Sequence, residues 1–183
     1  MASIITATTT SGLTQSADNS GVLQLASGVG NLVTVPAVTG TVMVSGNMPA
    51  FSAYRNADQT GISANTWTKV QYNAENFDTA NCYDSSTNYR FTPNVAGYYQ
   101  VSASVALAGS ATYVYAAIYK NGSSVAITPY NGSGGVGGVA VGLIYMNGTT
   151  DYLEGYIFRD GTQNLTGGSS GYVLFQGFLA RAT

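Results

Sequence analysis

Histidine is absent from this 183-residue chain, cysteine occurs once, and only 8% of residues are charged. Typical soluble domains carry about 25% charged residues. Without imidazole, the side chain best suited to proton transfer near neutrality is missing. Cys82 therefore has no histidine to activate it, and the serines lack the base of the common hydrolase triads. A lone cysteine also excludes an intrachain disulfide. Six basic and eight acidic residues leave a net charge of −2, too little positive charge to steer the chain to nucleic acid or an anionic membrane. No apolar run reaches 18 residues, and Met1-Ala2-Ser3-Ile4-Ile5 lacks the basic start of a secretory signal. The Asn-x-Ser/Thr sequons at Asn121, Asn131, Asn147 and Asn164 are then read as products of an Asn-Gly-Ser/Thr-rich composition.

Carboxylates remain as a route to chemistry. Asp151 and Glu154 are three apart on an expected strand, so they point to opposite faces. Glu75, Asp78 and Asp84 fall in an expected loop; solvated loop acids are the default there, and a calcium site would need six or more oxygens. The chain is expected to be non-enzymatic, with no cofactor and no metal.

Aromatics are missing from residues 1–50, although the chain holds 14 Tyr, 6 Phe and 1 Trp. Aromatic side chains bury the largest areas in cores, so the first fifty residues cannot build a packed domain alone. Asp18 is their only charge. Val22-Leu23-Gln24-Leu25 and Leu32-Val33-Thr34-Val35 read as short strands. A segment that favours pairing but has no core needs surface on something else, so residues 1–50 are expected to be an attachment arm and 51–183 a globular head. Val22, Leu23, Leu25, Leu32, Val33 and Val35 are the expected attachment residues. The lone Trp67 is read as a core anchor.

Period-2 alternation dominates the head. Tyr99, Val101, Ala103, Val105 and Leu107 form one face of a strand whose other face is polar or small. Tyr113–Lys120, Val139–Met146 and Tyr152–Arg159 are apolar on both faces, and Gly171–Arg181 is almost wholly apolar. Asn121-Gly122, Asn147-Gly148 and Asp160-Gly161 stand between these runs as hairpin signals, because both residue types tolerate positive φ. No segment shows a helical apolar period. The glycine-rich run Asn131–Gly138 lacks the Lys-Ser/Thr and the following helix of a phosphate loop, and is read as a loop between strands. An all-β, antiparallel jelly-roll sandwich preceded by an extended N-terminal β arm is expected. The low charge and 45% hydrophobic content favour an oligomer over a lone monomer.

Four segments resemble the C1q-like (C1q/TNF-like) jelly-roll family. Phe91-Thr92-Pro93-Asn94-Val95-Ala96-Gly97-Tyr98-Tyr99 resembles its F-x-P-x-x-x-G-x-Y motif. Tyr119-Lys120-Asn121-Gly122 and Met146-Asn147-Gly148-Thr149-Thr150-Asp151-Tyr152-Leu153-Glu154 are similar to later strand junctions, and Phe175-Gln176-Gly177-Phe178-Leu179 to the closing F-x-G-x-L. The resemblance implies a ten-stranded jelly roll and a homotrimer with aromatics along the three-fold axis. Tyrosine suits interfaces, and Tyr113, Tyr115, Tyr119, Tyr152, Tyr156 and Phe178 are the expected trimer contacts. The chain has no collagen-like stalk. Its Thr/Ser/Gly-rich opening resembles those of tailed-phage structural proteins.

Together these readings give an expected function. The chain is expected to be a bacteriophage virion structural protein, a homotrimeric capsid decoration or cement protein on the virion surface, made in the host cytoplasm. Residues 1–50 would hold the major capsid protein or another virion component. The start at Met1, with no repeated shaft before the knob, is read as a complete chain too short for a long fibre. The alternative is the receptor-binding tip of a short tail or neck fibre that recognises host surface glycan or protein, with 130–138 and 160–170 as its contact loops. A cellular C1q/TNF-like ligand fits less well.

Overall fold

The computed structural model describes residues 23–26, 32–35, 43, 45–168 and 171–183, without the side chains of 23–26, 32–35 and 130–136. They belong to two compact units, Met1–Thr41 and Val42–Thr183. In the first, β1 (Leu23–Ala26) and β2 (Leu32–Val35) pair antiparallel. The second unit opens with a three-residue 3-10 turn, Ser45–Asn47, and all its other elements are strands. These are β3 (Ala50–Tyr54), β4 (Thr68–Lys69), β5 (Ala74–Asp78), β6 (Tyr83–Asp84), β7 (Arg90–Phe91), β8 (Gly97–Lys120), β9 (Ser123–Met146), β10 (Leu153–Arg159) and β11 (Leu174–Ala182).

All nine pair antiparallel in one continuous sheet, in the order β5-β3-β11-β8-β10-β7-β6, with β4 also on β10 and β9 on β8. The sheet folds over itself because β8 and β9 each run 24 residues and bend midway. The first half of β8 pairs with β11 over Gly97–Ala103, and its second half with β10 over Val114–Lys120. Two layers result: β5-β3-β11-β8-β9 in the first, and β9-β8-β10 with β4, β7 and β6 in the second. This is the expected jelly roll.

The bend answers to sequence. The β8–β9 ladder slips register between Ala106 and Ala111 and again before Tyr113, where the glycine-rich run passes. That run is not the expected loop: its backbone continues β9, with Gly135 opposite Ala111 and Gly137 opposite Ala106. A Cβ on Gly137 would lie 2.4 Å from the Val105 carbonyl oxygen. Missing side chains let the strands stay close through the bend.

Asn121 (φ 51°) and Gly122 (φ 81°) make the two-residue turn joining β8 to β9, as the Asn-Gly signal predicts. The other two signals do not close hairpins. Asn147-Gly148 links β9 to β10 and Asp160-Gly161 links β10 to β11, yet neither pair of strands is adjacent in the sheet. A long β8 lies between them, so these segments cross over. Asn147 holds its crossover through its Oδ1, which accepts the backbone N–H groups of Thr149, Thr150 and Asp151 at 2.9–3.0 Å.

The core lies between the layers. Phe51 stacks on Phe91 at 4.2 Å between centroids and meets Phe175 edge-on at 5.0 Å. Tyr99 packs edge-on against Phe91 at 5.5 Å, and its hydroxyl donates to the Val95 carbonyl at 2.8 Å. Tyr72 is fully buried above Gly155, where a Cβ would come within 2.7 Å of its ring. Arg159, 1% exposed, donates to the carbonyls of Ile62 and Asp160 at 2.8 and 3.1 Å and to that of Gly161. It ties the Ile62 loop to the end of β10.

Candidate functional site

Antiparallel pairing sets which residues look outward from each layer. In the first layer Phe51, Val101, Ala103, Phe175 and Leu179 point to the core. Their neighbours point out: one row across the sheet runs Phe178, Gln100, Leu143, and the next Phe77, Ser52, Gln176, Ser102, Val141. Val139, Val141, Leu143 and Tyr145 form an aliphatic band along β9, with Leu143 61%, Val141 56% and Phe178 53% exposed. Between that band and Phe77 lies a depression of about 330 Å³, lined in part by Phe77, Phe178, Gln100, Ser102 and Gln176.

β9 is also an edge strand. Among the described residues it pairs with β8 alone, and its 24 residues include no Asp, Glu, Lys or Arg. Soluble proteins protect long edges with charges, prolines or bulges. Pro129 and a bulge opposite Ile118–Tyr119 serve that purpose in the first half, but the stretch 137–146 has no such residue. The opposite edge, β5, carries Glu75 and Asp78.

The outward face of the second layer is aromatic. Register places Tyr119 beside Glu154, Ala117 beside Tyr156 and Tyr115 beside Phe158 on β8 and β10, with Lys69 across from Tyr156 on β4. Trp67 lies 5.3–6.4 Å from the rings of Phe158, Tyr119 and Tyr115. Tyr119 stacks on Tyr156 at 4.0 Å, and Tyr113 stacks on Phe158 at 6.1 Å. All six rings are half-buried against one another. Trp67 is thus a half-buried residue of the outward face, not the core anchor expected, because it directly precedes β4 and alternation there turns it away from the buried Val70 and Tyr72.

Glu154 sits within this face at 6% exposure. Its carboxylate accepts Lys69 Nζ at 3.0 Å and the Tyr156 hydroxyl at 3.3 Å. Burial, then the Glu154 charge, push the Tyr156 phenol up to about 12. At the end of the face the Arg90 guanidinium lies 4.6 Å over the Tyr152 ring.

The six expected trimer residues therefore do not share one surface. Tyr113, Tyr115, Tyr119, Tyr152 and Tyr156 belong to the second layer's outward face, and Phe178 to the first layer's. Of the expected attachment residues, Leu23, Leu25, Val33 and Val35 occupy register positions of one face of the β1–β2 pair, and Leu32 a position of the other. Val22 lies outside the described residues.

Asp78, Asp84 and Asp151 are engaged structurally. Glu75 and Asp78 lie in β5 and Asp84 in β6, not in the loop expected. Asp78 accepts the N–H groups of Ala80 and Tyr83 at 3.1 and 2.7 Å. Asp84 accepts the N–H groups of Thr87, Ser86 and Asn88, which hold its carboxyl well below the usual range against partial burial. For Asp151, which lies before β10 rather than on it, burial acts upward, but Lys120, Asn121 and the Asn147 N–H prevail and keep it low. No group of three or more His, Cys, Asp or Glu able to hold a metal occurs among the described residues. Burial pushes the Cys82 thiol upward, away from the reactive thiolate.

Solved structures share this arrangement. The globular domain of zebrafish complement 1qA is 22% identical, with a TM-score of 0.52, and the match covers 74% of this chain and 98% of that one. Murine APRIL is 9% identical, with a TM-score of 0.55, covering 72% and 98%. The fold is the C1q/TNF-like jelly roll. A third likeness, to the PRD1 vertex protein P5, has 17% identity and a TM-score of 0.53, and covers 90% of this chain and 84% of that one. No family model and no curated protein sequence matches the chain. Within the C1q/TNF-like frame, the aliphatic band and the aromatic face lie on opposite layers, so one can be covered while the other stays open.

Proposed function

We propose that the protein is a non-enzymatic component of a phage particle surface, working as a homotrimer. The observation that carries the assembly is the β9 edge beside the exposed Val139, Val141 and Leu143, where the strand itself carries no charge and the one approaching charge, Lys120, reaches only the Tyr145 carbonyl at its end. A monomer presenting that edge would aggregate, and a second copy is the simplest cover for it. The depression between Phe77 and Phe178 offers a complementary surface, so the β9 band of one copy packs on the β5-β3-β11 side of the next. Such a contact is heterologous, and it closes into a ring of three. Phe178 then lies in the contact, while the tyrosines of the second layer face outward.

The likeness to a phage vertex protein favours a particle surface as the setting. Attachment falls to residues 1–50. A two-stranded pair is marginal on its own, and the aliphatic positions Leu23, Leu25, Val33 and Val35 call for a surface to cover them. The major capsid protein is the partner that fits a decoration role, and three arms from one trimer would bind it by multivalency.

Two measurements test this. Native mass of the purified chain should give a trimer; a stable monomer at micromolar concentration contradicts the assembly. Purified trimer added to emptied capsids should bind, and a version lacking residues 1–41 should not. Binding without the arm refutes the attachment.

A further inference from the structure

We infer that the aromatic face of the second layer binds a neutral hexopyranose chain of a surface polysaccharide. Trp67, Tyr113, Tyr115, Tyr119, Tyr156 and Phe158 form one contiguous layer of rings, with neighbouring centroids 4.0–6.4 Å apart. Each ring is held by the next, so the layer is ordered before a ligand arrives and little side-chain freedom is lost on binding. Apolar rings interleaved with a few fixed polar groups are the ordinary make-up of a ligand surface. The C–H faces of pyranose rings suit the former and their hydroxyls the latter.

Glu154 decides the ligand's character. An outward-facing carboxylate at 6% exposure is costly unless paired, and this one is paired to Lys69 at 3.0 Å. The two charges neutralise one another at the middle of the face, and the one other charge, Arg90, lies at its end over the Tyr152 ring. The remaining hydrogen-bonding capacity of Glu154 and Lys69, together with the Tyr119 and Tyr156 hydroxyls, matches a ligand of uncharged hydroxyl groups. A second copy is the poorer occupant. The aliphatic band on the opposite layer is far more exposed and carries the unprotected edge, whereas these rings already cover one another. The inference is independent of the trimer, since the aromatic face is complete within one chain.

Trp67 is the sole tryptophan, so its fluorescence reports on this face alone. The full-length protein is titrated with glucan, galactan and mannan hexamers, with an acidic uronic-acid hexamer beside them, and its native mass is recorded on the same sample. At least one neutral hexamer should give a saturable change in Trp67 emission, and the acidic one none. Tyr119→Ala should weaken that binding at least about tenfold, and Tyr156→Phe, which keeps the ring, less. Leu143→Asp on the opposite layer should leave it unchanged. The inference is overturned if no neutral hexamer produces a saturable change up to about 10 mM, if only the acidic one does, or if Tyr119→Ala and Tyr156→Phe, both with a native melting profile, bind as well as the parent. A trimer that binds no sugar refutes this inference alone, and a monomer that binds refutes only the assembly.

Discussion

Placing one charge on the β9 band should dissolve the proposed trimer without unfolding the chain. Leu143 is 61% exposed in the single chain. Fully burying a leucine is worth roughly 1.5–3 kcal/mol, so covering what remains gains about 1–2 kcal/mol per copy. Over three copies, Leu143→Asp forfeits about 3–5 kcal/mol of apolar burial, and each buried carboxylate adds several kcal/mol of desolvation. The apolar loss alone lowers the trimer association constant by about two to four powers of ten. Leu143 lies outside the core, so the fold of the knob should change by less than about 0.5 kcal/mol. Sedimentation equilibrium from nanomolar to high micromolar concentration reads the first quantity, and thermal melting of the dissociated knob reads the second. A Leu143→Asp protein that stays trimeric with an unchanged midpoint would refute the assignment of this face. A variant that loses its β-sheet signal would show that the residue supports the fold instead.

Three further outcomes follow from particular contacts. Gly155→Ala should cost about 1–3 kcal/mol, because its Cβ meets the buried Tyr72 ring at 2.7 Å; a melting temperature equal to the parent's would contradict the close approach. Arg159→Ala leaves the buried Ile62 carbonyl and the part-buried carbonyls of Asp160 and Gly161 without their donor and should cost about 3 kcal/mol, a fall of roughly 6–12 °C in Tm, which Arg159→Lys should not fully restore. Asp84 titrates below its unfolded value, so its stabilisation is complete above about pH 4 and is lost as pH falls further. Melting temperatures from pH 5 to pH 2 should therefore drop less steeply in Asp84→Asn than in the parent, and equal slopes would count against the hydrogen-bonded carboxylate.

The fold was legible because its motif residues are core residues. Phe91 and Tyr99 pack together in the centre, Phe175 and Leu179 are buried, and a Cβ on Gly177 would meet the Gln100 carbonyl at 2.9 Å. Strand alternation in Tyr99–Leu107 reads straight onto buried and outward positions. What the sequence hid is everything set by strand order. Asn147-Gly148 has the composition of a hairpin turn, but composition is local and β8 intervenes only in three dimensions. The glycine-rich stretch 132–138 looks like a loop because five of its seven residues lack side chains and leave no alternation to read. The tyrosine runs are apolar on both faces, which predicts a covered surface, yet their cover comes from Trp67 just before β4 and from rings on β8 and β10 of the same chain. Trp67 could have been placed only by knowing that β4 pairs with β10. The β9 edge was visible as an uncharged stretch, but nothing in the sequence says it lacks a neighbour.

Two strands of 24 residues thread both layers without a break, so the knob has no seam. Force applied to one layer travels along unbroken covalent backbone into the other, and neither can peel away by itself. A domain tied this way opens all at once or not at all, offering few half-open states to a protease or to shear in flowing fluid. Durability of that sort comes from the path of the chain rather than from any single contact.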